Sequence, residues 1–367
     1  MAAITAAMVK ELRESTGAGM MDCKKALSET DGDMEKAVEF LRKKGLATAD
    51  KKAGRIAAEG IVSTMVSADG KTAAIIEVNS ETDFVAKNAV FQEYVKGLAT
   101  QILNNDYADL AAFLAAKSEI DSSATVEEYH KSMVAKIGEN LTIRRFEKVS
   151  GDVLVPYIHM GGKIGVLVEA ECDSVNDSIK EAMKNLAMQV AAMNPTYLKS
   201  EDMSEEALSK EKEVVIDSSI NDPATLPKPL LTALFDEVIS SKALSDEDIK
   251  AYEENKNNKF LFNFISGEGK NTLAENAMKK KDEYLQNKIF TGLVDGRISK
   301  HLKEICLLDQ AYVKAENKET VKQYIDSVAK VNGCKFVLKK YVRFETGEGL
   351  EKKSENFAEE VAKQMGM

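Results

Sequence analysis

Between residues 5 and 45 the apolar positions recur at helical spacing in three short runs. Thr5 is placed to cap the first run, whose inward positions are Met8, Val9 and Leu12. Thr16-Gly17-Ala18-Gly19-Met20 interrupts it, with two glycines placed for a tight turn. A second helix is predicted over 21–29. Asp31-Gly32-Asp33 turns the chain, and Asp33 caps a third helix. Its stripe is Met34, Ala37, Val38 and Leu41, and Gly45 is expected to stop it. Residues 47–58 are small and charged, in keeping with a linker helix. From Gly60 the period changes to two. Ile61–Val66 and Ala73–Asn79 read as strands around an Asp69-Gly70 hairpin turn. A helix is predicted over 88–102, with Val90, Phe91, Tyr94, Val95, Leu98 and Ile102 on one face.

The same order recurs. Val153–Ile158 and Ile164–Ala170 read as strands around Gly161-Gly162. A helix over 175–193 buries Ile179, Met183, Leu186 and Val190, and Pro195 closes it. A third element also repeats, since Leu141-Thr142-Ile143-Arg144-Arg145-Phe146-Glu147 is similar to Lys339-Lys340-Tyr341-Val342-Arg343-Phe344-Glu345. The pattern is a duplicated unit of hairpin, helix, excursion and closing strand. The second excursion is long, charged and mostly helical, and Pro223, Pro227 and Pro229 break it. The segment from Lys270 to Ile289 reads as a solvated amphipathic helix.

The expected fold is therefore α+β. Residues 1–46 form a three-helix module that resembles the ubiquitin-associated type, and 47–59 a linker. Residues 60–151 form the first core subdomain, with antiparallel strands and helices. Residues 152–198 and 309–348 form the second. Residues 199–308 are a projecting helical arm, and 349–367 a C-terminal helix with Leu350, Phe357, Ala358 and Val361 as its stripe.

Composition narrows the chemistry. The net charge of −10 argues against a chain that lives on nucleic-acid phosphates. The start of the chain has no apolar signal-peptide core, and no apolar run is long enough to span a membrane. Four cysteines stand far apart without a CxxC, so neither zinc nor a disulfide framework is expected, and a reducing cytoplasm fits. With only three histidines, no GxSxG and no GxxxxGK[ST], neither a catalytic triad nor a phosphate loop is in view.

One segment stands out, Asn79-Ser80-Glu81-Thr82-Asp83-Phe84-Val85-Ala86-Lys87-Asn88, between a strand and a helix. In one reading Thr82 or Asp83 caps the helix and Phe84 staples its first turn. In the other, Asp83 and Phe84 sit on a protruding turn and wedge into another protein's cation site. Residues alone leave both open.

Several motifs carry a resemblance. Leu12–Leu27, Glu77-Val78-Asn79 through Thr82–Lys87, Ala135–Asn140, Tyr157-Ile158-His159 with Gly165–Val168, and Arg343–Glu351 occur in the order of the elongation factor Ts family. The resemblance spans the chain outside the arm. It implies a guanine-nucleotide exchange factor of translation, without covalent catalysis and without a cofactor of its own. Its partner is elongation factor Tu, which carries the GDP and Mg²⁺. Thr82, Asp83, Phe84 and Val85 are then the residues that dislocate that Mg²⁺. Lys24, Ile137, Gly138, His159, Tyr312 and Val313 take partner-binding roles, and the arm a possible role in homodimer contacts, with neither nucleic acid nor membrane involved. Ala311 stands where a proline is common in the family, and residues around 222–285 look like an expansion of the arm. An RNA-binding factor would need a basic face, and a pure scaffold would be indifferent to Phe84.

Overall fold

A computed structural model describes residues 4–351. The helix expected over the C-terminal tail falls on 352–367, outside the described residues. The chain divides into two compact units, Met1–Asn194 with Gln323–Met367, and Pro195–Lys322.

The first unit begins with α1 (Ala6–Thr16), α2 (Met20–Glu29) and α3 (Met34–Lys52). The Thr5 hydroxyl accepts from the Met8 amide, and Gly17 ends α1 in the left-handed region at φ 67°. Asp33 caps α3 through the Lys36 amide. Leu12, Cys23, Ala26, Leu27 and Ala37 form the small shared core. Gly45 does not stop α3, which runs on to Lys52. A Cβ at Gly45 would make only an ordinary contact, 3.5 Å from the Ala135 methyl, so the helix passes through this position without needing a glycine there. Val38, expected in the stripe, is exposed.

Next come β1 (Glu59–Val66), β2 (Thr72–Ser80), the single-turn α4 (Asp83–Ala86), α5 (Ala89–Asn104), α6 (Leu110–Ala115), α7 (Val126–Ile137) and β3 (Leu141–Ser150). They give an antiparallel sheet of order β1-β2-β3. Then follow β4 (Val153–His159), β5 (Ile164–Cys172) and α8 (Asp177–Met193). After the second unit, α15 (Val321–Asn332) and β6 (Phe336–Glu345) complete a sheet of order β4-β5-β6.

Side-chain alternation along the strands sorts the core into layers. Ile61, Ala74, Ile76, Val78 and Ile143 face Phe91, Val95, Leu98 and Ile102 of α5 and Val134 of α7. Val62, Ala73, Ile75 and Val149 face the second sheet's Leu154, Leu167, Val342 and Phe344. Strand β2 is thus covered on both sides and reads as an almost continuous apolar run. On the second sheet α8 buries Ile179, Met183, Leu186 and Val190. Val90, assigned to the apolar face of α5, lies exposed in its first turn.

Glu77 belongs by parity to the layer between the sheets, where it is fully buried. Its carboxylate accepts from Arg144 Nη1 at 2.9 Å, Arg145 Nε at 2.6 Å, Asn79 Nδ2 at 3.1 Å and the Gly347 amide at 2.8 Å. Such a charge is tolerable only when paired and fully hydrogen-bonded. Gly347 has φ 72°, and a Cβ there would meet the Ala58 carbonyl oxygen at 2.1 Å, so only glycine fits.

Both sheets carry a bulge, after Glu77 in one and after Glu169 in the other. Arg145 pairs with Glu77 and Lys340 with Glu169. Arg145 therefore corresponds to Lys340 rather than to Arg343, and the sequence likeness of the two closing strands is three positions out of step with their pairing. Arg145 and Arg343 instead converge on Glu348, at 3.1 and 3.8 Å.

The second unit contains α9 (Glu205–Asn221), α10 (Lys228–Ser240), α11 (Asp246–Asn255), α12 (Gly267–Lys279), α13 (Lys281–Gln286) and α14 (Lys288–Ile305). It has its own core of Leu234, Phe235, Tyr252, Leu273, Ala277, Tyr284 and Phe290. Phe235 and Tyr252 stack at 4.0 Å. The segment read as one solvated helix is broken near Lys280 and again at Asn287, and Leu273, Ala277 and Tyr284 are buried. The unit also reaches past the expected boundary at 308, because Val321 bonds back to Gln310 and Ala311 bridges Thr320.

Replacing Glu77 by Ala leaves two partly buried guanidinium groups, Arg144 and Arg145, without their carboxylate. The expected loss is roughly 3–5 kcal/mol in urea unfolding followed by circular dichroism. A loss below about 1 kcal/mol would contradict the role given to Glu77.

His130 on α7 accepts at Nδ1 from Tyr94 Oη at 2.6 Å and donates from Nε2 to Leu141 O at 3.0 Å. Burial holds its pKa down at about 4. The unfolded chain thus binds the extra proton first, and the neutral ring's contribution is intact above pH ~6.5 and lost as pH falls toward 4. Thermal melts should show about 3 kcal/mol of acid destabilisation across that window. The His130→Gln variant should show a correspondingly flatter profile.

Candidate functional site

The segment that connects β2 to α5 is built around α4. Thr82 is its N-cap, accepting from the Val85 amide at 3.4 Å. A single carboxylate grips the same residue: Glu139 accepts from the Thr82 amide at 3.0 Å and from its hydroxyl at 2.7 Å. Ser80 Oγ donates to the Thr82 carbonyl at 2.9 Å. Beside them Glu81 accepts from the Asn140 amide at 2.6 Å, and Asn140 Nδ2 donates to the Arg55 carbonyl at 2.7 Å. Val85 closes the far side by burying itself in the subdomain core. The turn is thus held from both ends and from beneath.

Phe84 is held out of that frame and is 79% exposed. The capping half of the simpler reading is therefore met by Thr82, while the stapling half is not, because Phe84 covers no first turn. An exposed phenyl ring forgoes roughly 2 kcal/mol of burial. Lys87 Nζ lies 5.9 Å from the ring centroid and 2.6 Å from Asp83 Oδ2. The hydrogen bond from Lys87 holds the Asp83 carboxyl below its ordinary pKa, and the Lys163 charge adds to this. Asp83 is accordingly an anion at neutral pH beside an exposed aromatic ring.

Lys163 identifies the neighbouring element. It follows the β4–β5 turn and pairs with Glu59 at 3.7 Å. That turn presents Ile158 and Met160 to solvent, with Met160 in the left-handed region at φ 48°. His159 between them is half-buried, its Nδ1 2.8 Å from Tyr157 Oη. Ile137 and Gly138 lie directly before Glu139. Gly138 caps α7 at φ 91° and is exposed, and its carbonyl accepts from Lys52 Nζ. One edge of the first unit therefore gathers Thr82–Val85, Ile137, Gly138 and the His159 turn.

Lys24 lies on α2, exposed, one turn beyond the exposed Met20 and Met21 on the same helix face. Tyr312 and Val313 belong to the second unit. The Tyr312 side chain is buried at 6% exposure, so Val313 is the member of that pair that faces solvent.

Sequence reasoning did not single out Glu139 or Met160. Glu139 lies next to Gly138 in sequence but 57 residues from Thr82, and only the fold closes that distance. A methionine after a strand reads as core unless the turn's left-handed geometry is known.

The comparisons with known proteins agree with one another. The model of the family described as "Elongation factor TS" matches residues 81–348. A protein named Elongation factor Ts from Clostridium novyi is 45% identical over 364 residues, covering 99% of both chains. Namesakes from Clostridium botulinum and Clostridium kluyveri are 43% and 42% identical, again over 99% of both chains. On the strength of that full-length match, the chain belongs to the elongation factor Ts family of translation elongation factors.

Proposed function

We propose that this chain accelerates release of GDP from elongation factor Tu by pressing Phe84 and Asp83 against the partner's magnesium and phosphate site. The observation that carries the reading is the exposed Phe84 ring on a backbone clamped by Glu139 and by buried Val85. Family membership supplies the partner. The physics supplies a reason for the geometry, because a wedge transmits force only if its base does not yield.

A GTPase holds GDP through a phosphate-cradling loop and a bound Mg²⁺. Release needs no covalent step. It needs a protein that binds the nucleotide-free form better than the GDP form, and by linkage each ligand then weakens the other equally. A coupling of ~10⁴ corresponds to roughly 5.5 kcal/mol. A few buried contacts at one edge supply that much. In this reading Phe84 enters an apolar slot and shifts the elements around the ion, while the Asp83 carboxylate unsettles its coordination. Ile137, Gly138 and His159 dock the core beside the wedge. Lys24 adds a cationic contact from the first module, and Val313 a contact from the second unit, with Tyr312 supporting it from within. The chain itself holds neither nucleotide nor metal in this mechanism.

Labelled GDP on elongation factor Tu, mixed with catalytic amounts of this protein, tests the reading directly. Wild type should speed release well beyond spontaneous dissociation in magnesium buffer. Phe84→Ala should slow exchange about thirtyfold, equivalent to roughly 2 kcal/mol, with an unchanged circular dichroism spectrum. Wild-type rates in that variant would refute the wedge.

A second measurement separates the ring from its frame. Glu139→Gln keeps the side-chain volume but loses the charged acceptor for two Thr82 donors. Exchange should fall by a smaller factor, roughly three- to tenfold, since a charge-assisted hydrogen bond is weakened rather than a contact removed. If Glu139→Gln matched or exceeded the Phe84→Ala defect, the carboxylate would be acting on the partner and not as a clamp.

A further inference from the structure

Cys172 and Cys334 are separated by most of the second half of the chain, with the entire second unit lying between them in sequence. Folding nevertheless brings them together. The ligand atoms of Cys172, Asp173 and Cys334 all lie within 4.8 Å of one another.

From this grouping we infer a binding site for a thiophilic divalent cation of the zinc type, ligated by Cys172, Asp173 and Cys334. Three observations support it. The donor set of two thiols and one carboxylate is the kind that zinc accepts, with bonds of about 2.3 Å to sulfur and 2.0–2.2 Å to oxygen. Tetrahedral coordination at those lengths needs sulfurs about 3.8 Å apart, so side-chain rotation of less than about one ångström closes the set.

The backbones that carry the ligands are also fixed. Cys172 is the last residue of β5. Cys334 follows Gly333, which ends α15 in the left-handed region, and the Cys334 amide donates to the Ala329 carbonyl at 3.2 Å. Asn176 and Ser178, at the start of α8, hydrogen-bond Asn332 at 3.0 and 3.3 Å. The two chain segments are therefore tied together independently of any ion.

The third observation concerns Asp173. Its Oδ1 accepts from the Lys335 amide at 2.9 Å, which orients the carboxylate and leaves Oδ2 for a cation. The nearby Lys335 ammonium is already engaged by Glu171, so it does not compete for Asp173. Cys172 is buried and Cys334 half-exposed, so an ion has a path in and a partly dry seat. Three protein ligands leave a fourth position for water or an exogenous donor. The bound ion would fasten the strand that leads out to the inserted unit to the segment that returns from it.

The test uses the full-length reduced protein, titrated with Cd²⁺ and followed by the ultraviolet thiolate-to-metal absorption band, then challenged with Zn²⁺. A band that saturates at one equivalent and is displaced by Zn²⁺ is expected. It should vanish in Cys334→Ser, whose half-exposed position tolerates the change, and persist in a Cys23→Ala, Cys306→Ala double variant. Asp173→Asn should weaken binding at least about tenfold. Zn²⁺ should also protect Cys334 of the wild type from alkylation, a readout that needs no substitution. Absence of a saturable band, its survival in Cys334→Ser, or formation of a Cys172–Cys334 disulfide in place of metal uptake overturns the site.

Discussion

One buried carboxylate organises the first unit. Glu77 sits fully buried between two largely apolar sheet faces, and it draws in Arg144, Arg145, Asn79 and the Gly347 amide. A buried charge of this kind adds little net stability, but it penalises every arrangement in which one partner is missing. It can be satisfied only if β3 carries its bulge at Arg144 and if the segment after β6 returns across β1 at Gly347. Registry of both sheets and closure of the chain's two halves are thus conditions on one group. Arg145 adds a contact by lying 4.3 Å over the Phe344 ring, so the same side chain serves charge and packing.

That framework explains how an exposed aromatic ring is affordable. Strand β2 carries Glu77 in its middle and delivers Ser80, Glu81 and Thr82 at its end. Because the strand is pinned between α5 and the second sheet, the turn that follows starts from a fixed point. Glu139, at the start of β3's approach, then fixes the next residue. The turn is therefore ordered by contacts within the chain itself.

How much of this was legible beforehand differs from element to element. Helix caps at Thr5 and Asp33, the hairpin at Asp69-Gly70 and the apolar faces of α5 and α8 follow from short-range rules, and they appear in the structure. Gly45 misled because a glycine signals a helix end by local propensity, which is weak enough for α3 to run on through it to Lys52. Each unit does close with a third strand as read, but the likeness of the two strands is out of register with their pairing, and Arg145 and Arg343 both reach Glu348 from positions that are not equivalent. The arm looked solvated because its helices are highly charged, yet a narrow stripe such as Leu273, Ala277 and Tyr284 suffices for a core when several helices share it. At the site itself, Thr82 as a cap was readable, the exposure of Phe84 was ambiguous, and the grip of Glu139 depends on a contact across 57 residues.

The root of the second unit has a consequence for how such chains vary. Thr196 and Tyr197 donate to the Ile305 carbonyl, and Leu307 and Leu308 donate back to Tyr197 and Leu198. This short ladder closes the unit on itself at its stem. Everything between residues 198 and 305 is then a closed excursion whose ends meet whatever its contents. Loop-closure entropy grows only slowly with length. Whole helices can therefore be gained or lost inside the stem with little penalty to the closure of the chain around it, which makes this the place where lineages are free to experiment.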